Sequence, residues 1–152
     1  MHRIAAVVLL IVMIALLVSA CSAAQSTATA EGGAPRLAPE SALPDFVRNS
    51  APQVKEAYRF AAANPEALSQ YPCYCGCGAM GHQSNLNCYI KEIPTDGSIV
   101  FDNHAVGCSI CVDIARDVMR LMAEGRRARD IRTYIDATYS RYGPPTNTQP
   151  VQ

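Results

Sequence analysis

Residues 71–78 read YPCYCGCG, so three cysteines alternate with other residues between one proline and two glycines. Pro72 restricts the backbone where the segment begins, while Gly76 and Gly78 have access to backbone angles that other residues avoid. We therefore expect a loop that turns its three thiols toward one point. Three further cysteines follow it in the chain: Cys88, Cys108 and Cys111. This density of thiols predicts a chemical site around which the domain is organised.

The size and charge of the chain limit its function. A chain of 152 residues has room for one small domain once an N-terminal leader is set aside. The 13 basic and 13 acidic residues cancel, and removal of a leader with Arg3 leaves 12 against 13. No strong electrostatic field then favours an anionic polymer. We predict no nucleic-acid partner.

The N-terminus predicts a lipoprotein signal peptide over residues 1–20. A basic start at Arg3 is followed by an apolar run of 15 residues, Ile4 to Val18, and then by Ser19-Ala20-Cys21. The run is shorter than the ~20 apolar residues that span a bilayer, and small residues before a cysteine are typical of lipoprotein processing. Cys21 would then carry the lipid, which anchors the protein to the extracytoplasmic face of the cell membrane. The alternative is an uncleaved membrane anchor, which gives the domain the same location.

Composition divides the rest of the chain into three parts. Residues 21–43 are rich in Ala, Ser, Thr, Gly and Pro, which predicts a disordered tether. We expect a cysteine-rich helical domain over residues 44–143 and a disordered tail over residues 144–152.

The first half of the domain predicts helices. Ser50 and Gln53 have the spacing of a capping box, and Asn64-Pro65 is expected to end one helix and to start a short one that runs through Ser69. Between these signals, apolar residues recur at helical spacing: Val54, Tyr58 and Ala61.

The second half predicts a hairpin and two helices. Residues 88–93 and 98–102 are β-prone and flank the turn sequence Pro94-Thr95-Asp96-Gly97. A helix is expected to start near Ser109 and to end at Gly125. Its apolar face contains Cys111, Ile114, Ala115, Val118, Leu121 and Met122, and a second helical face contains Ile131, Tyr134, Ile135, Thr138, Tyr139 and Tyr142. The expected fold is mainly α, a small helical domain with one β-hairpin and a cysteine-rich loop, with α+β as the alternative.

Three interpretations of the cysteines are open. Without Cys21 there are six, and an even number in an exported protein is typical of disulfides. A bond within Cys-x-Cys strains the disulfide dihedral angle, so the loop cysteines would each pair with one of Cys88, Cys108 and Cys111. Such a protein would be a disulfide-stapled interaction module.

The second interpretation is a soft metal site. Converging thiolates repel one another unless a cation lies between them, and alternating Cys-x-Cys is typical of thiolate sites for Cu(I) and Zn(II). We favour Cu(I), with Zn(II) as the other candidate. The predicted ligands are Cys73, Cys75, Cys77, Cys88, Cys108 and Cys111, with His82, His104 and Met80 as additional candidates.

The third interpretation is thiol–disulfide exchange by Cys108 and Cys111. This Cys-x2-Cys pair lies where a helix is expected to begin, and the helix dipole there stabilises a thiolate. If the protein is an enzyme, this pair makes it a thiol–disulfide oxidoreductase.

Residues 71–143 resemble the family of bacterial lipoproteins named for the string PCYCGC, which is intact here at residues 72–77. The downstream segments Gly81-His82, Leu86-Asn87-Cys88-Tyr89, Asp102-Asn103-His104 and Cys108-Ser109-Ile110-Cys111 fit the same family. The resemblance implies an exported lipoprotein and does not imply a reaction.

A fainter similarity relates residues 108–144 to the helical thiol-redox subunit of bacterial cytochrome c maturation. The shared features are a Cys-x2-Cys, an amphipathic helix, a glycine turn and a helix that ends at Arg141-Tyr142-Gly143. The hairpin and the four additional cysteines depart from that pattern.

The sequence thus predicts a membrane-anchored lipoprotein that binds a soft metal ion as a carrier or sequestering protein without catalysis. The alternatives are the redox protein and the interaction module. Its expected partners are the membrane, through the lipid on Cys21, and an exported metalloprotein or thiol protein.

Overall fold

The structure is a computed structural model that describes residues 34–151. The predicted signal peptide, Cys21 and the first part of the predicted tether lie outside the described residues. Within the described part, none of the helices combines the length and the apolar character that crossing a bilayer requires.

Helices dominate the described part of the chain. It contains five α-helices: α1 (Asp45–Arg48), α2 (Pro52–Ala63), α3 (Pro65–Leu68), α4 (Ser109–Ala123) and α5 (Ala128–Tyr139). One antiparallel hairpin is formed by β1 (Ile90–Glu92) and β2 (Val100–Phe101). Short 3-10 helices connect these elements: Glu40–Ala42, Cys77–Met80, Asn85–Cys88, His104–Gly107 and Ser140–Tyr142. The prediction of a mainly α fold with one small hairpin is confirmed.

Helix α2 forms as predicted but begins differently. Val54, Tyr58 and Ala61 face the core. The predicted capping box is wrong, because Ala51 is the N-cap and makes no side-chain cap bond. Pro52 opens the helix instead, at a position where its missing N–H costs nothing. The hydroxyl of Ser50 donates to the carbonyl oxygen of Val47.

Helix α4 is the centre of the domain and packs against both α2 and α5. It begins at Ser109, as predicted, and its buried face includes Ile114 and Val118. Gly125 adopts a left-handed φ of 71°, and its N–H donates to the carbonyl oxygen of Met122, which ends the helix. Each large apolar side chain buried along this face stabilises the fold by about 1.5–3 kcal/mol. The packing of this face therefore fixes the position of the first turn of α4, which carries Cys111.

The hairpin is shorter than predicted and irregular. Ile90 pairs with Phe101 and Glu92 with Val100, so the register shifts between the two pairs. The predicted turn is confirmed, since the N–H of Gly97 donates to the carbonyl oxygen of Pro94 and Gly97 has a φ of 78°. The hairpin returns the chain to the helices just before the 3-10 helix that starts at His104.

The packed region extends beyond residues 44–143 at both ends. Leu43, in the predicted tether, is buried, and the N–H of Ala38 donates to the carbonyl oxygen of Arg59 in α2. Thr146, in the predicted tail, is also buried. Its N–H donates to the carbonyl oxygen of Cys73, and its Oγ1 accepts from the N–H of Cys73. Hydrogen bonds to the backbone of the domain hold these polar segments in place. Composition alone does not predict such bonds.

Two buried tyrosines connect the core to the first turn of α4. The rings of Tyr58 and Tyr89 meet edge to face, with their centroids 4.9 Å apart. The hydroxyl of Tyr89 donates to the carbonyl oxygen of Cys111 at 2.7 Å, and that of Tyr58 donates to the carbonyl oxygen of Asp102. The tyrosine pair thus joins α2, the hairpin and α4.

We predict that Tyr89→Phe lowers the free energy of unfolding by about 1 kcal/mol, because it removes a buried hydrogen bond and keeps the ring. Urea denaturation followed by circular dichroism measures the change. Tyr142→Phe is the matched control, because Tyr142 is half-exposed and removal of its hydroxyl is expected to change the free energy of unfolding little. Equal effects of the two substitutions would contradict the connecting role of Tyr89.

Candidate metal centre

The loop that follows Pro72 turns sharply at Gly76, whose φ is 85°. Space around Gly76 is open, so its left-handed backbone is what favours glycine there. The 3-10 helix Cys77–Met80 follows and ends at Gly81, with a φ of 92°. Gly78, which has access to the same backbone angles, does not use them, because its φ is not positive. A side chain at Gly78 would instead contact Thr146.

This turn brings the loop thiols to three other segments. Cys88 ends the 3-10 helix Asn85–Cys88, Cys108 is the N-cap of α4, and Cys111 lies in the first turn of α4. His104 begins the 3-10 helix after the hairpin, where its N–H donates to the carboxylate of Asp102 at 2.8 Å. All six predicted cysteine ligands and two histidines therefore meet in one cluster.

The first group of donors consists of Cys75, His104, Cys108 and Cys111, which we call the outer set. Its ligand atoms all lie within 4.8 Å of one another. The Sγ atom of Cys111 is 3.0 Å from that of Cys108 and 3.5 Å from that of Cys75. Nε2 of His104 is 3.4 Å from the Sγ atom of Cys75. Cys75, His104 and Cys108 are half-buried, so this set borders the solvent.

The second group consists of Cys73, Cys77 and Cys88, which we call the inner set. Its sulfur atoms also lie within 4.8 Å of one another, and all three residues are buried. The Sγ atoms of Cys77 and Cys88 are 3.7 Å apart. Nδ1 of His82 lies 3.5 Å from the Sγ atom of Cys88, which adds an imidazole beside this set.

The two sets touch through Cys73. Its Sγ atom is 3.4 Å from that of Cys75 and 3.5 Å from that of Cys111, both in the outer set. The rings of His82 and His104 meet edge to face with centroids 5.2 Å apart. The contacts between the sets therefore lie within the range of the sulfur–sulfur contacts inside them, 3.0 to 3.7 Å.

Met80 is placed differently from the other candidates. It is 60% exposed, whereas the sulfur atoms of the inner set are buried. The structure thus leaves the Met80 side chain largely in solvent, at the end of the short helix that begins with Cys77.

Three residues that the sequence interpretation did not single out hold the cluster in place. The amide of Asn85 donates to the carbonyl oxygen of Cys111 at 3.3 Å, beside the bond from Tyr89. Thr146, in the C-terminal segment, is hydrogen-bonded to the backbone of Cys73. The hydroxyl of Thr148 in the same segment donates to the carbonyl oxygen of Gln83. Asn85 lies three residues before Cys88 in the sequence, which is a weak signal, but nothing in the polar tail pointed to Thr146.

The cysteine thiols of the cluster differ in pKa. The Cys111 thiol donates a hydrogen bond to the Cys108 sulfur, which lowers the pKa of Cys108 to about 5 and raises that of Cys111. Burial, and then the charge of Cys73, raises the pKa of Cys75 to about 12. Hydrogen bonding with its neighbours, Cys111 first, lowers the pKa of Cys73. A hydrogen bond to Cys73 raises the pKa of Cys77. The metal-free cluster therefore mixes thiolates and thiols, because ionisation of one sulfur opposes ionisation of the next.

The cysteines of the described residues are all free thiols. The arrangement of three disulfides considered from the sequence is therefore not the state that the structure shows. Free thiols and imidazoles at these distances form a donor set suited to a soft metal ion.

Fold and site together define a small, mainly α domain whose cluster of cysteines and histidines can hold a metal ion. The chain belongs to the PCYCGC family, described as proteins of unknown function with a PCYCGC motif, which it matches over residues 10–151. No curated protein and no solved structure matches the chain. The fainter similarity to the cytochrome c maturation subunit stays a prediction.

We predict that Cys108 is the first thiol to react with iodoacetamide in the metal-free, reduced protein at pH 6. Its pKa of about 5 leaves it ionised there, whereas the pKa of about 12 keeps Cys75 protonated. The two residues are similarly half-buried, so Cys75 is an internal control for access. Peptide mass spectrometry of a time course measures both rates, and faster labelling of Cys75 would contradict the assigned hydrogen-bond directions.

Proposed function

We propose that this protein is a lipid-anchored, extracytoplasmic binding protein for a soft metal ion, with copper favoured, that carries or sequesters the ion without catalysis. The observation that supports the proposal best is the convergence of six free thiols and two imidazoles from four separate segments of the chain. The lipid anchor rests on the sequence around Cys21.

A bound metal ion would offset the electrostatic repulsion between the thiolates of this cluster. Six thiols this close together, four of them buried, cannot all ionise, because like charges at these distances repel strongly where water is largely excluded. A bound cation reverses that repulsion and replaces the thiol protons. Thiolate ligands select Cu(I) and Zn(II) over hard ions, which take oxygen ligands. Copper is favoured as Cu(I), the softest of these ions, because soft thiolate ligands select it.

The position of the outer set supports a carrier role. Cys75, His104 and Cys108 are half-buried, so a thiol of a partner protein can reach them and take over the ion by ligand exchange. The partner that fits this chemistry is an exported metalloprotein or thiol protein. The membrane anchor would keep the carrier on the surface where such proteins are assembled.

Thiol–disulfide exchange is the second candidate function. Cys108 is the N-cap of α4, and its Sγ atom is 3.0 Å from that of Cys111, a favourable position for an exchange pair. Cys111 is not isolated, however, since the Sγ atoms of Cys73 and Cys75 are both 3.5 Å away. An exchange pair does not need these neighbours, whereas a metal centre does. We therefore rank metal binding first.

We predict that the reduced full chain takes up Cu(I) and Zn(II) with release of protons, and that uptake weakens as the pH falls because the thiols must deprotonate. The double variant Cys75→Ser/Cys77→Ser is expected to lose stoichiometric uptake, with Gln83→Ala/Ser109→Ala as an exposed control. Metal analysis after gel filtration measures the uptake.

Bound metal should also protect Cys108 from alkylation until a chelator is added, and equal alkylation with and without chelator would favour the exchange pair.

Anchoring has its own test, which does not depend on metal. Cys21→Ala is expected to release the protein from membranes or to leave an unprocessed precursor, because the lipid has no acceptor. Ser22→Ala is the matched control at the next residue. Membrane fractionation and gel mobility give the readout, and a Cys21→Ala protein that partitions and migrates like wild type would contradict the anchor.

A further inference from the structure

The cluster contains more donors than one soft metal ion uses. Six sulfur atoms and two imidazole nitrogens make eight donors, whereas a tetrahedral ion takes four. A single ion in the outer set leaves the three sulfurs of the inner set and His82 without a cation.

The eight donors divide into two groups of the same composition. The outer set contains three cysteines and His104. The inner set contains three cysteines, and Nδ1 of His82 lies 3.5 Å from one of them, Cys88. Each group therefore offers three sulfurs and one imidazole, a combination that holds zinc in structural sites.

We propose that the cluster is a binuclear centre, in which the outer set holds one soft metal ion and the inner set with His82 holds a second. This inference rests on the proposed metal-binding function and adds the number of ions and the ligands of each. It also assigns separate roles to the two histidines, since His104 belongs to the outer ion and His82 to the inner one.

Cys73 joins the two positions. Its Sγ atom belongs to the inner set and lies 3.4 Å from that of Cys75 and 3.5 Å from that of Cys111. A thiolate has lone pairs for more than one metal, so the position of Cys73 makes it the bridging ligand. A bridge places the two ions close enough to interact electronically.

The two positions differ in their access to solvent. Cys73, Cys77 and Cys88 are buried, and Thr146 of the C-terminal segment binds both backbone polar groups of Cys73. Three of the four outer ligands are half-buried. The outer ion is therefore the exchangeable one, and the inner ion is the retained one.

The test uses the full chain in detergent, reduced, metal-free and without oxygen, titrated with Zn(II) and in parallel with Cu(I). Native mass spectrometry counts the ions bound per chain. His82→Ala/Cys88→Ser removes two inner ligands, and His104→Ala/Cys108→Ser removes two outer ligands. Gln83→Ala and Asn103→Ala are the controls, because these exposed residues adjoin the two histidines in sequence.

We expect two ions in wild type and in both controls, and one ion in each double variant. A chelator should remove metal from wild type in two phases, and the variant with the inner set intact should keep only the slow phase. In protein loaded with two Co(II) ions, a bridging Cys73 predicts magnetic coupling that Cys73→Ser weakens. If a variant loses its helical circular dichroism signal, its ion count does not test the proposal. The ion count of the wild type and the magnetic coupling then test it instead.

The outcomes separate this inference from the proposed function. One ion in saturated wild type overturns the binuclear centre and leaves metal binding intact. No ions in reduced wild type overturns metal binding and the binuclear centre with it. Loss of both ions in a double variant that keeps its helical signal overturns the division into two sets.

Discussion

Repulsion between buried sulfur atoms is the constraint on which the rest of the structure depends. Six thiols lie at Sγ separations as short as 3.0 Å, and four of them, Cys73, Cys77, Cys88 and Cys111, are buried. Water does not screen charges at such positions, so full ionisation without a cation would cost several kcal/mol. The metal-free chain limits this cost by sharing protons, with a lowered pKa at Cys108 and a raised one at Cys75. A soft cation removes the conflict altogether.

The fold brings the donors together by holding three other segments of the chain against the first turn of helix α4. Helix α4 supplies Cys111 from its first turn and is fixed by its packing on α2 and α5. Tyr89 and Asn85 hold the carbonyl oxygen of Cys111 from one side, while Thr146 holds the backbone of Cys73 from another. Because these contacts are made by backbone groups and buried polar side chains, the sulfur atoms themselves are left free for ligation. The scaffold positions the donors before any ion arrives, which reduces the ordering cost of binding.

Local signals in the sequence predicted much of this arrangement, and long-range contacts account for the rest. The start of α4 at Ser109 and its end at Gly125 were predicted because apolar periodicity and a terminating glycine are local features. The capping box at Ser50 was wrong because the following Pro52 opens α2 itself. The role of Thr146 was missed, since a contact 73 residues away leaves no local pattern. The sequence predicted His82 and His104 as additional candidate ligands, but only the fold shows that His104 lies beside Cys75 and His82 beside Cys88.

The central claim is that the cysteine cluster is a metal centre. Its most direct test is the intact mass of the protein purified from the cells that produce it, without added metal or reductant. The account predicts a soft metal ion bound under native conditions, lost on acidification, and six cysteines of the domain that then react with an alkylating agent. Metal-free protein whose mass is lowered by two hydrogens for each of three fixed disulfides would contradict it.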